Sequence, residues 1–388
     1  MKALKKFDLN NIDKFKWEPY PFEKIAFRIA ETVDPNTTEL NIYYGLEHLD
    51  AESLHIRRNG VPGDVSGGKL KCYPGDIIFG KRRAYQRKAG IVKEAGICSA
   101  HSFVFRANEE IIDARLFPFF LHSDQFMHKM IDISVGGLSP TINWSDLKHQ
   151  EFLLPPKEQQ AALADLLWAM DEMIEKDLAI SEKLRNSYNL IISKELISEE
   201  NSFDFKFKDN LKVIRGVSFK PNQLTQDGVL ILRSNNIQNS KINYLDNIFL
   251  PENIVDSSKQ IFENDFAVCM SNGSKDLVGK AGIIKQLNNR KIAVGAFCAG
   301  LKVEKDYISL VKHILNSKEY RIKISQILSG STINNLKPSD IEGLKFKVNN
   351  NLNFIIHKLD CLLHNSELIE SKIHSSKALQ KSLINQIF

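Results

Sequence analysis

The chemistry that this sequence offers most clearly is the binding of a polyanion. The stretch GKRRAYQRK (80–88) holds five cations and one aromatic residue and contains no acid. Like charges this dense repel each other, and an anionic partner such as a phosphate backbone relieves that repulsion. Arginine can also donate to O6 and N7 of guanine in the major groove. The predicted DNA-binding residues of this loop are Lys81, Arg82, Arg83, Tyr85, Arg87 and Lys88. The alternative is a solvated basic loop.

A second group of candidate residues is polar rather than basic. The stretch MSNGSKDLVGK (270–280) aligns with the basic loop when the two halves of the chain are compared, and RSNN (233–236) follows a strand-like run. Asparagine can hydrogen-bond to N6 and N7 of adenine, whereas ordinary turn residues are the alternative. The predicted DNA contacts of this group are Arg233, Asn235, Asn236, Ser271, Asn272, Ser274, Lys275 and Lys280.

The sequence contains no recognisable reaction centre. It lacks H-E-x-x-H and G-x-S-x-G, and it lacks the N-P-P-[YF] stretch of amino-methyltransferases. GDVSGGKL (63–70) approaches the phosphate-loop pattern, but Leu70 replaces the hydroxyl residue that would hold Mg²⁺, so a turn is predicted. The ten histidines have no metal-ligand spacing. We therefore predict no catalytic residue, no metal site and no cofactor bound by this chain.

Composition also limits the kind of partner and the cellular compartment that the sequence predicts. The net charge of +5 permits a polyanionic partner without requiring one. The cysteines form no CxxC pair, which favours buried free thiols in a reducing compartment; they are Cys72, Cys98, Cys269, Cys298 and Cys361. The amino-terminal residues lack an apolar signal core, and no apolar run approaches the roughly 18 residues of a membrane span. A cytoplasmic protein without membrane contact is expected.

The elements that must position these loops occur twice. Three alignments, all offset by about half the chain, pair residues 144–147 with 338–341, 75–78 with 264–267, and 89–91 with 281–283. Offsets of this size indicate two large units rather than a solenoid of small repeats. In each unit, short apolar runs broken by glycine and proline predict strands and turns, and helical patches follow them. The predicted fold class is α+β, repeated.

A long amphipathic helix is predicted at the end of each unit. The first begins after Pro155 and Pro156, where a fixed φ and a missing N–H suit a helix start. Its 4-3 stripe is Leu166, Met170, Met173, Asp177, Ile180, Leu184, Ser187 and Ile191. The second stripe keeps the same phase at Ile355, Leu359, Leu362, Ser366, Ile369, Ile373, Ser376 and Gln380. Matching polar positions favour two helices packed on each other as an antiparallel coiled coil; the alternative is that each packs on its own domain.

Several local motifs accompany this architecture. LPPKEQQ (154–160) opens the first long helix, GDII (75–78) precedes the basic loop, and SGST (329–332) forms a turn. With two units that each end in a helix, the whole chain resembles the DNA-specificity subunit of type I restriction–modification systems. The second unit departs from this pattern, because KVNNNLNF (347–354) lacks the prolines and the Glu-Gln pair.

The resemblance implies a non-catalytic subunit with two target-recognition domains in a pseudo-two-fold arrangement. These domains would be residues 1–155 and 201–348, and the spacer helices would be residues 156–200 and 349–388. Each domain would read one half of a bipartite site in double-stranded DNA. The chain would dock methyltransferase subunits, two by expectation, which would carry S-adenosylmethionine. The partner-binding residues would be Pro155, Pro156, Glu158 and Gln159.

Three questions stay open at this stage. The resemblance does not say whether a restriction subunit joins the complex. A stand-alone enzyme acting on DNA is a competing hypothesis, because catalytic residues can converge from distant positions. A helical adaptor that does not bind DNA is another.

Overall fold

The chain folds into two compact units. The computed structural model describes residues 14–285, 290–330 and 333–388. Within them, the first unit consists of 14–178 together with 371–388, and the second consists of 179–370. The first unit is therefore discontinuous along the chain, whereas the second is one stretch. The four segments predicted from the sequence divide the chain differently, into domains and helices, and that division stays a prediction.

Short strands and short helices precede the long helix of the first unit. Its strands are β1 (Glu18–Pro21), β2 (Ala26–Ile29), β3 (Thr32–Val33), β4 (Tyr43–Tyr44), β5 (Lys69–Cys72), β6 (Ile77–Gly80), β7 (Ala89–Ile91), β8 (Gly96–Cys98), β9 (Ser102–Ala107) and β10 (Glu151–Leu154). Its helices are α1 (Phe22–Ile25), α2 (Phe117–His122), α3 (Asp124–Asp132), α4 (Trp144–Leu147) and α5 (Lys157–Ile191), of which the last ends in the second unit.

The first unit contains three sheets, and two of them, β1-β10 and β2-β9-β6-β7, contribute to an aromatic core. The third sheet has the strand order β3-β5-β8-β4. The four residues of β6 are all buried, as expected for a strand covered on both faces. Phe22, Phe126 and Phe152 meet at ring-centroid distances of 5.4 to 6.0 Å. This core holds the β6–β7 hairpin, and therefore the basic loop, in a fixed position.

The carboxyl-terminal helix completes the same core. Phe388 is buried, and its ring centroid lies 5.4 Å from that of Phe120. The Asn385 amide donates to Asp124 Oδ2 (2.6 Å), and the backbone N–H of Asp124 donates back to Asn385 Oδ1 (2.9 Å). Gln125 donates to the carbonyl of Phe388 (2.7 Å). Residues 371–388 are thus an integral part of the first unit.

The second unit repeats these elements with additions. Its strands are β11 (Ser202–Lys206), β12 (Leu211–Arg215), β13 (Val229–Leu232), β14 (Ile237–Gln238), β15 (Lys241–Ile242), β16 (Ile248–Leu250), β17 (Gln260–Ile261), β18 (Phe266–Cys269), β19 (Ala281–Ile283), β20 (Ile292–Val294), β21 (Cys298–Val303) and β22 (Lys345–Asn349). Its helices are α6 (Phe207–Asn210), α7 (Ile308–Leu315), α8 (Lys318–Ser329), α9 (Pro338–Glu342) and α10 (Leu352–Ile387), of which the last ends in the first unit.

The repeat is visible in strand order and in helix starts. The second unit has sheets β11-β22, β12-β21-β18-β19-β15-β14 and β16-β13-β20-β17. The antiparallel run β2-β9-β6-β7 corresponds to β12-β21-β18-β19. Ser123 caps α3 by accepting from the backbone N–H of Phe126, and Ser317 caps α8 by accepting from that of Tyr320. The two halves of the sequence therefore fold on one plan.

The long helices keep only part of the predicted apolar stripe. On α10, Ile355, Leu359 and Ile373 are buried as predicted. On α5 the prediction was wrong for Met173 and Ile180, which are 52% and 44% exposed. The most buried face of α5 follows Leu163, Ala164, Leu167 and Ile174, because the start of the helix packs on the core of its own unit. Of the predicted stripe, Leu166 and Met170 pack partly buried against that core, and Ile191 is buried.

Within each unit, a segment of α5 also contacts a segment of α10. In the first unit, Gln380 Nε2 donates to the Leu167 carbonyl at 3.4 Å, and Lys372 Nζ donates to Asp177 at 2.9 Å. In the second unit, Lys358 Nζ donates at 2.9 Å to Glu195, which lies in the π-helical turn Ile192–Leu196 that directly continues α5. In the first unit the residue numbers rise along one helix as they fall along the other, so the segments run antiparallel there.

An aspartate at the equivalent position of each long helix bonds that helix to the rest of a unit. Asp171 of α5 lies 2.7 Å from His55 Nε2. Its counterpart Asp360 of α10 accepts from Lys312 Nζ (2.6 Å) and Ser309 Oγ (2.7 Å) and lies 3.2 Å from His313 Nε2. Burial alone would raise the pKa of Asp360, but the hydrogen bonds from His313, Lys312 and Ser309 hold it well below its usual range.

Protonation of His313 gives a testable pH dependence. His313 is fully buried, and its Nδ1 lies 2.8 Å from the hydroxyl of Tyr188. Burial lowers the pKa of His313 more than Asp360 raises it. Because the unfolded chain then binds more protons, we expect the second unit to lose stability as the pH falls below about 6.5.

Urea unfolding between pH 8 and pH 5 measures this loss. The His313→Gln variant should show a flatter dependence of its unfolding free energy on pH. The exposed His364 provides the matched control, His364→Gln. An equal slope in wild type and His313→Gln would contradict the assignment.

The cysteines are buried in the two units, with one exception. Cys72, Cys98, Cys269 and Cys298 are buried free thiols as predicted, whereas Cys361 is exposed. Across residues 14–285, 290–330 and 333–388, no group of three or more His, Cys, Asp or Glu side chains could hold a metal ion. In that same part of the chain, no helix is long and apolar enough to cross a membrane.

Candidate nucleic-acid interface

The basic loop of the first unit connects β6 to β7. It makes one 3-10 turn, Ala84–Gln86, and the residues at both ends of that turn, Arg83 and Arg87, adopt left-handed conformations with φ of 57° and 52°. Such values are uncommon outside glycine. The turn therefore holds a defined shape that directs its side chains in different directions.

Three side chains of this loop face solvent. Arg82 and Arg83 are exposed, and Tyr85 is 53% exposed. Neither arginine pairs with an acid among the described residues; Arg83 Nε donates only to Ser139 Oγ, at 3.0 Å. Two cations beside an exposed aromatic ring can contact phosphates and base edges together.

The other three cations of the loop contact the protein itself. Arg87 Nε lies 3.2 Å from Glu52, its Nη2 donates to Asp124 at 2.6 Å, and Lys88 Nζ donates to the Leu46 carbonyl at 2.6 Å. Lys81 Nζ lies 5.2 Å from the ring centroid of Phe103, and burial, with a smaller effect of Arg28, lowers its pKa. Of the predicted DNA-binding residues of this loop, Arg82, Arg83 and Tyr85 are exposed, whereas Lys81, Arg87 and Lys88 contact other parts of the first unit. DNA contact by any of these residues stays a prediction.

A glycine-containing loop, residues 135–142, forms the second half of this surface and was missed as a functional element. Val135 and Thr141 exchange backbone hydrogen bonds of 3.0 and 2.9 Å, and Gly136 supplies the φ of 112° that this tight loop requires. The backbone N–H of Arg83 donates to the Pro140 carbonyl (2.8 Å). The side chain of Leu138, at the tip, is 98% exposed.

The second unit uses the same pairing of loops. The backbone N–H of Leu336 donates to the Met270 carbonyl (2.8 Å), as that of Ile142 donates to Lys81 in the first unit (3.0 Å). The backbone N–H of Asn272 donates to the Asn334 carbonyl (3.4 Å), so Asn272 holds the position of Arg83. Of the SGST turn in this loop, Ser331 and Thr332 lie outside the described residues.

Most of the polar candidates in the second unit converge on one cleft. The cleft has a volume of about 790 Å³. Candidates that line it are Arg233, Asn235, Ser271, Asn272 and Lys280, and other lining residues include Phe219, Leu277, Gly295 and Phe297. Asn272 Nδ2 donates to Ser234 Oγ (3.0 Å), which links the two candidate loops. The sequence placed these residues in separate turns, and folding brings them together.

Three candidates of the second unit are not in this cleft. Asn236 is buried and serves the turn, because its Oδ1 accepts from the backbone N–H of Arg233 and its Nδ2 donates to the carbonyls of Asn243 and Leu245. Asn236 is therefore a framework residue and not an exposed base-reading amide. Ser274 and Lys275 are exposed beside the cleft, and Lys275 Nζ donates to Ser329 Oγ (3.3 Å).

Arg233 and Asn235 share an acidic neighbour. Arg233 Nη2 donates to Asp246 Oδ2 (2.8 Å), and Asn235 Nδ2 donates to the same oxygen (3.0 Å). Arg233 Nε is buried and has no hydrogen-bond partner among the described residues. The ion pair holds the guanidinium at the edge of the cleft, and the charge of Asp246 offsets part of its positive potential.

The predicted partner-binding residues lie at the start of α5. Pro155 is buried, Pro156 and Gln159 are partly buried, and Glu158 is exposed. Their neighbour Gln160 is 1% exposed: it accepts from the backbone N–H of Asp113 (2.6 Å) and donates to the Pro155 carbonyl (2.9 Å). Gln160 therefore fixes the joint between domain and helix, whereas Glu158 is available to a partner. Partner binding here stays a prediction.

Part of the chain is similar to a known protein family. Residues 56–186 match the type I restriction modification DNA specificity domain. The StySPI specificity subunit of Salmonella potsdam is 35% identical over 177 residues, and the EcoKI specificity subunit of Escherichia coli K12 is 37% identical over 158 residues. The matched part of the chain is therefore similar to type I specificity subunits. These matches span 44% and 39% of this chain but only 38% and 34% of the two relatives.

Solved structures of type I restriction–modification proteins share the fold of this chain. The S subunit of a type I restriction–modification system from M. genitalium has a TM-score of 0.59 at 14% identity, covering 99% of this chain and 98% of that one. A chain from a structure on complex assembly of the type I R-M system has a TM-score of 0.57 at 15% identity, covering 96% and 97%. The mixed helix and sheet architecture is therefore that of known S subunits.

Proposed function

We propose that this chain is the DNA-recognition subunit of a type I restriction–modification complex and catalyses no reaction itself. Each unit would bind one half of a bipartite target. The observation that carries the proposal is the shared loop pairing: Arg83 and Asn272 occupy equivalent positions on the same backbone frame but differ in chemistry. A conserved frame with exchanged side chains is what two readers of different half-sites require.

The two units would use different contacts. In the first, Arg82 and Arg83 offer bidentate donors for guanine and charge for phosphates, with Tyr85 beside them. In the second, Asn235 offers its amide to adenine and Lys280 adds charge, whereas the amide of Asn272 already bonds to Ser234 and to the backbone N–H of Ser274. Phosphate contacts would set the position of the protein on DNA, and side-chain contacts to base edges would specify the sequence.

The long helices would set the distance between the two half-sites and help to assemble the complex. We infer that α5 and α10 pair as an antiparallel coiled coil, supported by the Lys372–Asp177 and Lys358–Glu195 hydrogen bonds within their respective units. Such a pair would set the number of unread base pairs between half-sites. The exposed Glu158 at the start of α5 would help to dock one of two methyltransferase subunits, which would hold S-adenosylmethionine. A restriction subunit could complete the complex.

Mapping of methylated adenines in host DNA tests the function. Deletion of the gene should abolish methylation at one bipartite motif and leave other motifs unchanged, because the methyltransferase would lose its only guide to that sequence. Restoring the intact gene should restore the motif. An unchanged methylation map in the deletion strain, with the methyltransferase expressed, would refute the proposal.

A further inference from the structure

The cleft of the second unit has a shape that groove reading does not require. Base edges are read from within the grooves by side chains that protrude. This site is concave, and its volume of about 790 Å³ falls within the roughly 300–1,000 Å³ of pockets that enclose small molecules. It lies beside the loop that carries Asn272, so DNA held by that loop would pass its mouth.

The cleft is lined by aromatic side chains, small residues and hydrogen-bond donors. Phe297 lines the cleft and is 70% exposed. Phe219 lies close to the turn at Gly295, because a Cβ built at Gly295 would be 3.7 Å from the ring of Phe219. Large apolar rings left exposed on a cleft wall indicate a binding surface. The amide of Asn235 and the ammonium of Lys280 stand on the same lining.

These groups match the parts of a nucleotide. Bases stack on aromatic side chains irrespective of sequence, amides bond to their polar edges, and cations bind the phosphate. The Nζ of Lys280 has no hydrogen-bond or ion-pair partner among the residues that the structure describes, whereas Arg233, at the edge, is paired with Asp246, so Lys280 supplies the unpaired positive charge of the cleft.

We propose that this cleft receives one nucleobase turned out of the DNA duplex in the second half-site, stacked against Phe297. The inference rests on the proposed function, since it requires DNA to lie on this unit. It adds a recognition mode to that function, because the extruded base would be selected by the fit of the cleft as well as by groove contacts.

The first unit has a histidine at the position that corresponds to Phe297. His101 precedes β9 as Phe297 precedes β21, and their carbonyls accept equivalent bonds from Lys81 (3.2 Å) and Met270 (2.8 Å). The aromatic wall of phenylalanine is thus a feature of the second unit. The inference is accordingly limited to the second half-site.

The test uses the full-length chain without methyltransferase and the DNA motif found by methylation mapping. 2-Aminopurine is placed at each purine of the second half-site in turn, and fluorescence is read at saturating protein. One position should brighten several-fold, because unstacking relieves quenching. Phe297→Ala should weaken binding to this DNA by roughly five- to one hundred-fold, the range for loss of one base–aromatic stack.

Phe262→Ala is the matched control, since Phe262 is 58% exposed in the same unit but does not line the cleft. It should change neither brightness nor affinity. Specific binding with no bright position, or equal effects of the two variants, would overturn the inference and leave the proposed function standing. Competition by free adenosine monophosphate at micromolar concentration would assign the cleft to a soluble nucleotide instead. Absence of any sequence-specific DNA binding would refute the proposed function, and the inference with it.

Discussion

A chain carrying Arg82→Ala together with Arg83→Ala should bind its DNA target about 10- to 100-fold more weakly. Both guanidinium groups are exposed and have no acidic partner among the described residues. Loss of a bidentate contact to guanine costs about 1–3 kcal/mol, and each lost phosphate contact lowers the salt dependence of binding by about one unit of slope. Titration of labelled duplexes at several salt concentrations measures both effects.

A charge-matched control separates the effect of losing DNA contacts from the effect of losing two positive charges. Arg57 and Arg58 lie in the same unit, and their guanidinium groups pair with Glu175 and Asp50. Replacing these two by alanine removes the same charge and should change affinity far less. The double variant at Arg82 and Arg83 should also relax specificity only in the half-site read by the first unit. Equal losses in the two double variants would remove the loop from the interface.

Removing seven residues from each long helix should shorten the unread spacer of the target by about three base pairs. The change deletes residues 174–180 and 369–375, which surround the bonded pair Asp177 and Lys372. Seven residues correspond to about 10.5 Å of helix, and a base pair rises by about 3.4 Å. Because a heptad is removed from both helices, the phase of each buried stripe is kept. Methylation mapping in cells gives the new spacer directly.

The reciprocal insertion provides the control. Adding one heptad to each helix at the same place should lengthen the spacer by a similar amount, while both half-site sequences stay the same. Thermal unfolding of each purified variant checks that it is folded. A folded variant that methylates the original spacing would show that the helices do not set the distance. A variant that retains DNA binding but no longer captures methyltransferase would assign the helices to assembly alone.

Local signals in the sequence identified the elements but not all of their faces. The apolar run at Ile77–Gly80 is a buried strand, and the proline pair before Lys157 does precede a helix. The stripe through Met173 and Ile180 was wrong, because periodicity gives the spacing of apolar residues and not which of two surfaces they meet. Because the start of α5 packs on its own unit, the buried residues of this helix lie about one position away from the predicted ones.

The candidate site was harder to foresee, because its frame is made of backbone hydrogen bonds between distant residues. The bond from Arg83 to Pro140 spans more than fifty residues and involves no side chain that a pattern could mark. The convergence of Arg233 and Asn272 on one cleft likewise depends on tertiary packing. By contrast, Asn236 had a recognisable signal: an asparagine in the turn that follows a strand often hydrogen-bonds to the backbone of that turn, and it does so here, four residues after the end of β13.

The discontinuity of the first unit reverses the usual order of folding during synthesis. Domains generally fold as they leave the ribosome, amino-terminal unit first. Here residues 14–178 lack Leu383, Ile384, Ile387 and Phe388 of their core until the final stretch has been translated. The second unit is continuous and can close while the first still exposes apolar surface. The amino-terminal unit therefore cannot complete its core until the last residues of α10 have been synthesised.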